Sequence, residues 1–190
     1  MCKEAVKLNA TYATGWCVLG SIHLSRKELQ ESIEASQRAI QLRRGYPQAY
    51  TNLGYALHAN GSPDEAITAL ERVLEIDPDF VDAHYNLCIV FQDQGRVEEA
   101  FKAARHTLRL APENPQYWNN WAACISQMDR ISVDDRLFQE LETYLDFETA
   151  KIGKTPSVIQ ELVLRDARLE ELKILVDADD IPALAENLAS

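Results

Sequence analysis

The sequence predicts an all-α chain, a solenoid of stacked antiparallel helix pairs. Three observations predict it. The 190 residues repeat with a period of 34: "AYTNLGYALHANG" from Ala49 is followed 34 residues later by "AHYNLCIVFQDQG", and after 34 more by "YWNNWAACISQMD". Each unit carries two apolar stripes at helical spacing, one at positions 3, 7 and 10 or 11, the other at 20, 21, 24, 27 and 28. The few breakers fall where helices should stop. Gly61 and Gly95 stand between the stripes, Pro78 and Pro112 after the second.

The elements follow in order. Residues 1–12 occupy positions 23 to 34 of the register, so the chain opens on the second helix of an incomplete repeat, with Ala5, Val6 and Leu8 on its stripe. A lone helix leaves an apolar face uncovered, which predicts missing upstream repeats or a partner there; a short native cap is the alternative. Residues 13–46, 47–80 and 81–114 are complete units. Position 8 is small (Gly20, Gly54, Cys88, then Ala122), as is position 20 (Ser32, Ala66, Ala100), so the two backbones of each pair should approach closely. The first unit departs from the pattern. Lys27 stands where the turn glycine falls and Arg44 where the proline falls, and Gly45 and Pro47 nearby predict a shifted boundary. Residues 115–150 hold a good first helix and a degenerate second, with Asp134 at position 20 and Leu137, Leu141, Tyr144 and Leu145 still amphipathic. Residues 151–190 read as a helical cap: Ser157 and Gln160 make a capping box, and Val158, Leu162, Leu169, Leu172 and Val176 form a stripe. A coiled-coil dimer is the sharper reading of that stripe, although Arg165 interrupts it.

The middle units, "AYTNLGYALHANGSPDEAITALERVLEIDP" and "AHYNLCIVFQDQGRVEEAFKAARHTLRLAP", resemble the tetratricopeptide repeat (TPR) over roughly the first three quarters of the chain. The resemblance implies a right-handed superhelix whose concave groove binds partners. The asparagines at position 6 are similar to the ladder in the TPR superhelix of the O-linked N-acetylglucosamine transferases.

Composition narrows the function. The formal charge is −11, and residues 132–190, with 14 acidic and 6 basic residues, carry −8 of it. No basic face offers itself to phosphates, so neither nucleic acid nor an anionic membrane is an expected partner. No run of about 18 apolar residues spans a membrane. "MCKEAVKLNATY" is not a secretion leader, so the expected compartment is the cytoplasm, and "NAT" at Asn9 and "NGS" at Asn60 match the glycosylation pattern by chance. Cys2, Cys17, Cys88 and Cys124 have no C-x-x-C spacing and read as isolated core thiols. His23, His58, His84 and His106 fall at positions 11, 12, 4 and 26, which should not converge. No catalytic motif occurs, "GKT" at 153–155 lacks the rest of a phosphate loop, and acidic pairs such as Asp134 and Asp135 read as helix-end charges. The chain is expected to be no enzyme and to need neither cofactor nor metal.

The first helix of each unit has a second face, at positions 2, 5, 6, 9, 12 and 13, which the resemblance places on the groove. It carries Thr51, Asn52, Tyr55 and His58 in the second unit. The third unit adds Asp82, Tyr85, Asn86, Gln92 and Asp93, and the fourth Asn119 and Asn120. A primary amide donates two hydrogen bonds and accepts two, so it can pair with both the N–H and the C=O of an extended peptide. Asn52, Asn86 and Asn120 thus make three rungs, with Val18 breaking the ladder in the first unit. The alternative is that each amide bonds to the neighbouring repeat or to water. No Lys or Arg falls on these positions, so a carboxylate clamp for acidic tails is not expected; the partner should be a neutral or basic protein or peptide. Self-association would run through the N-terminal open helix or the C-terminal helices. Two functions follow: a scaffold or adaptor gripping an extended peptide or a partner helix, or the substrate-recognition region of a larger enzyme such as a glycosyltransferase or methyltransferase.

Overall fold

Each apolar stripe becomes one helix. The computed structural model describes residues 12–127 as seven α-helices with no strand among them: α1 (Ala13–Ser25), α2 (Leu29–Leu42), α3 (Pro47–Ala59), α4 (Pro63–Ile76), α5 (Val81–Asp93), α6 (Val97–Leu110) and α7 (Pro115–Gln127). The expectations for the opening helix, the second helix of the fourth unit and the C-terminal cap lie outside the described residues. Within units α1 packs on α2, α3 on α4 and α5 on α6. Between units α2 meets α3, α4 meets α5, and the first helices touch one another, α1 with α3 and α3 with α5. Every stripe is buried by a neighbour in sequence, which is the solenoid.

The turn inside each pair is set by one left-handed residue. Lys27, Gly61 and Gly95 have φ of 61°, 84° and 70°. In each, the N–H of the next residue returns to the carbonyl five positions back: Glu28 to His23, Ser62 to Leu57 and Arg96 to Phe91, all at 2.9 Å. Those bonds satisfy carbonyls that the helix end leaves open. In the first and third turns the two residues so joined also touch through their side chains. Glu28 pairs with His23 Nδ1, and the Arg96 guanidinium lies 4.5 Å from the centre of the Phe91 ring. Lys27 holds the turn without glycine's freedom. A Cβ costs roughly 1–2 kcal/mol in this conformation, part of which glycine returns as unfolded-chain entropy. Lys27→Gly should therefore stabilise the protein by about 1 kcal/mol in urea unfolding, and a destabilisation would contradict this account.

The shifted boundary expected at Arg44 does not occur. Helix α2 stops at the same register position as α4 and α6, and Arg43, Asp77 and Ala111 break their helices with similar φ of −145°, −140° and −146°. Pro47 then starts α3, as Pro115 starts α7, where a missing N–H costs nothing. Position 4 ties the next unit to this break. Trp118 Nε1 donates to the Pro112 carbonyl at 2.6 Å, and His84 Nε2 sits 2.9 Å from the Pro78 carbonyl. His84 does the work of a tryptophan there, which places its proton on Nε2.

The core runs along the joints. Ala39, Ala49, Ala66, Leu70, Val73, Ala83, Val90 and Trp121 are essentially inaccessible to solvent. Close approach occurs where position 8 is glycine. A Cβ added at Gly54 would lie 2.7 Å from Leu70 Cγ, and one at Gly20 would lie 2.8 Å from Ser36 Oγ. In the first unit Ser32 Oγ donates to the Gly20 carbonyl at 3.0 Å, so the contact is also a hydrogen bond.

Candidate functional site

The first helices present one side to the core and another to a cavity of about 410 Å³. Leu24 and Ser25 of α1 line it, with Thr51, Asn52 and Tyr55 of α3 and Asp82, Tyr85 and Asn86 of α5. These are positions 12 and 13 of one unit, 5, 6 and 9 of the next, and 2, 5 and 6 of the third. A helix advances about 100° per residue, so those positions share a face opposite the stripe at 3, 7 and 10. Tyr55 is 49% exposed, and Val18, at position 6 of the first unit, is 41% exposed. The cavity lining carries one charge, that of Asp82.

The position-6 amides differ from unit to unit. Asn52 Nδ2 donates to the Cys17 carbonyl of α1 at 3.1 Å and to Cys17 Sγ at 3.6 Å, which leaves its Oδ1 for other partners. Asn86 is half-buried on the cavity wall. Asn120 Nδ2 is buried without a hydrogen-bond partner among the described residues. Asn119 is exposed. Thr51 turns its hydroxyl onto the Pro47 carbonyl of its own helix at 3.0 Å.

Other groove residues pair with each other. His58 Nε2 and Asp93 Oδ2 are 2.8 Å apart, joining position 12 of one unit to position 13 of the next. Gln92 Nε2 donates to the Asn120 carbonyl at 3.4 Å and to Cys124 Sγ at 3.1 Å. The Tyr85 ring meets Tyr117 of α7 at 5.2 Å between centroids, tilted by 51°. Burial, and then the charge of Asp82, push the Tyr117 phenol up. The register assigned Tyr117 to the core stripe, at position 3, yet its ring packs on Tyr85 of the cavity wall. A second cavity, of 510 Å³, lies between α2, α3 and α4 and includes Gln37, Tyr50, Glu65, Arg72 and Glu75. Its walls come largely from second helices, which the groove register does not cover.

Two expectations need correction. The histidines do converge in one place: His84 and His106 stack with centroids 4.8 Å apart and planes 10° off parallel. An antiparallel hairpin sets an early position of its first helix against a late position of its second, so positions 4 and 26 meet. Nor are the thiols isolated. Cys88 and Cys124 are buried with their sulfurs 3.8 Å apart. Among the described residues no three His, Cys, Asp or Glu side chains are grouped to hold a metal ion, and no helix is long and apolar enough to cross a membrane.

Models of the tetratricopeptide repeat match residues 11–79 and 57–120. The chain belongs to the TPR family. Among solved structures this TPR protein is similar to MamA, at 20% identity and a TM-score of 0.67 over 80% of this chain and 87% of that one. It is also similar to the TPR domain of Arabidopsis OM64, at 19% identity and a TM-score of 0.59 over 61% and 96% of the two chains. The first TPR of Spaghetti (RPAP3), bound to the HSP90 peptide SRMEEVD, matches at 17% identity and a TM-score of 0.59 over 60% and 93%. At such identities the likeness is one of fold. No curated protein matches the sequence, and none of these likenesses carries the resemblance to the O-linked N-acetylglucosamine transferases. The TPR array makes the protein an interaction module, since solenoids of this kind bind along extended concave surfaces.

Proposed function

We propose that the protein is a scaffold or adaptor whose groove grips an extended peptide segment of a partner, neutral or basic in charge, through the amides of Asn52, Asn86 and Asn120. The observation that carries this reading is the cavity wall, where two of the three amides stand beside Tyr55, Tyr85 and Asp82 with no lysine or arginine. Amides match main-chain donors and acceptors, and tyrosines supply amphipathic contact area at low entropic cost. Asp82 favours a cationic side chain on the peptide. The HSP90 peptide held by Spaghetti (RPAP3) carries two glutamates and an aspartate, the opposite charge. The rung at Asn52 works with its Oδ1; the rung at Asn120 brings an Nδ2 that has no hydrogen-bond partner among the described residues.

The test is binding of fluorescent extended octapeptides, graded from acidic to basic, to the wild type and to the triple variant Asn52→Ala, Asn86→Ala, Asn120→Ala. Each rung offers hydrogen bonds worth about 1 kcal/mol apiece, so the triple variant should lose on the order of 100-fold in affinity while its helical circular dichroism persists. Asp82→Lys should shift the preference away from basic peptides. Equal binding by the triple variant would remove the ladder, and tightest binding of acidic peptides would remove the charge assignment.

A further inference from the structure

The joint between α5 and α7 differs from the two joints before it. Cys88, at position 8 of the third unit, meets Cys124, at position 10 of the fourth. The same two register positions hold Gly20 and Ala56, then Gly54 and Val90, in the earlier units, so the repeat itself does not call for thiols there. Yet two sulfurs meet there at 3.8 Å, brought together from 36 residues apart. They lie beneath Gln92, whose amide donates to Cys124 Sγ at 3.1 Å.

The two sulfurs are not equivalent. The hydrogen bond to Cys124, and then burial, push the Cys88 thiol far up. The contact with Cys88 holds the Cys124 thiol below its ordinary value, burial opposes this and Gln92 adds to it. Cys124 is the sulfur that the Gln92 N–H reaches, which favours a thiolate there, and a second thiol lies in contact to resolve whatever forms on it.

We propose that Cys88 and Cys124 form an oxidisable dithiol, which a small hydroperoxide closes into a disulfide joining the third repeat to the fourth. The Cys124 thiolate attacks the peroxide; an S–O bond forms, the O–O bond breaks, and the leaving oxygen takes a proton and departs as water from hydrogen peroxide or as an alcohol from an alkyl hydroperoxide. The Cys88 sulfur then attacks Cys124 Sγ; the S–S bond forms, the S–O bond breaks, and a second water leaves. With hydrogen peroxide the balance is two thiols and one peroxide giving one disulfide and two waters. The sulfurs must close from 3.8 Å to about 2.05 Å. Burial admits only a small oxidant, and the bridge spans the joint that carries Tyr85, Tyr117 and Gln92.

Oxidation with hydrogen peroxide, alkylation of the remaining thiols and peptide mapping test it on the full chain. The expected product is a linked pair of peptides containing Cys88 and Cys124, lighter by about 2 Da than the sum of the two thiol peptides and separated again by dithiothreitol. The oxidised protein should melt about 5 °C higher. The variant Cys2→Ser, Cys17→Ser should form the same bridge, which needs neither of those thiols. Cys88→Ala should leave Cys124 to oxidise further, adding about 32 Da as the sulfinic acid. Sulfinic acid on Cys124 of the wild type, full alkylation of both thiols after peroxide, or a bridge to Cys2 or Cys17 would each overturn the proposal.

Discussion

Replacing Trp121 by alanine lowers the unfolding free energy by about 3–5 kcal/mol, the usual cost of deleting a fully buried tryptophan. Trp121 is 0% exposed. Its ring meets Trp118 edge-on at 5.8 Å and Phe101 of α6 at 6.3 Å, so one substitution empties the joint between the third repeat and α7. Because a solenoid is held by nearest-neighbour interfaces, the loss should appear first as fraying of the fourth unit, with a broadened urea transition. Far-ultraviolet circular dichroism reports the helix lost, and near-ultraviolet signals report the indole packing. A cost below about 1 kcal/mol would mean that this joint does not hold α7 in place.

Leu70→Ala costs about 2–5 kcal/mol, and Gly54→Ala in the same molecule should return part of it. Leu70 is wholly buried, and its Cγ and Cδ2 would lie 2.7 and 2.9 Å from a Cβ at position 54. Gly54→Ala alone therefore drives a methyl into a side chain that has nowhere to retreat. The clash costs about 1–3 kcal/mol, set against about 1 kcal/mol of gained helix propensity. With Leu70 truncated the methyl enters the space vacated, so the clash is relieved and the gain in helix propensity remains. A double-mutant cycle by urea unfolding should show a favourable coupling of at least about 1 kcal/mol. Strict additivity would mean that Gly54 and Leu70 do not share that space. At Gly20 the obstacle is the Ser36 hydroxyl, which can rotate away, so Gly20→Ala should be far milder.

The period made the helices, their order and their inward faces legible, because burial of an amphipathic stripe leaves a strong mark on residue spacing. The groove face followed from the same arithmetic. Six of its named members, Thr51, Asn52, Tyr55, Asp82, Tyr85 and Asn86, line one cavity. What escaped the register was contact between unlike positions. His84 finds His106 within a hairpin, and Cys88 finds Cys124 across a joint. Tyr117, assigned to the core stripe, reaches Tyr85 instead. Lys27 and Arg44 were legible as departures, but their sense was not: the chain keeps the turn with a left-handed lysine, and it keeps the unit boundary in register without the proline.

By itself the sequence determined the repeat, the helix pairs and the residue types offered along the groove, since these depend on local periodicity and on which side chains each face carries. Only the tertiary structure decided how the offered groups are spent. Asn52 gives one N–H to the Cys17 carbonyl, His58 pairs with Asp93, and two thiols share a buried joint. The reason is distance. A hydrogen bond or a sulfur contact is won or lost within a few tenths of an ångström, which the stacking of one repeat on the next sets and the repeat pattern does not encode.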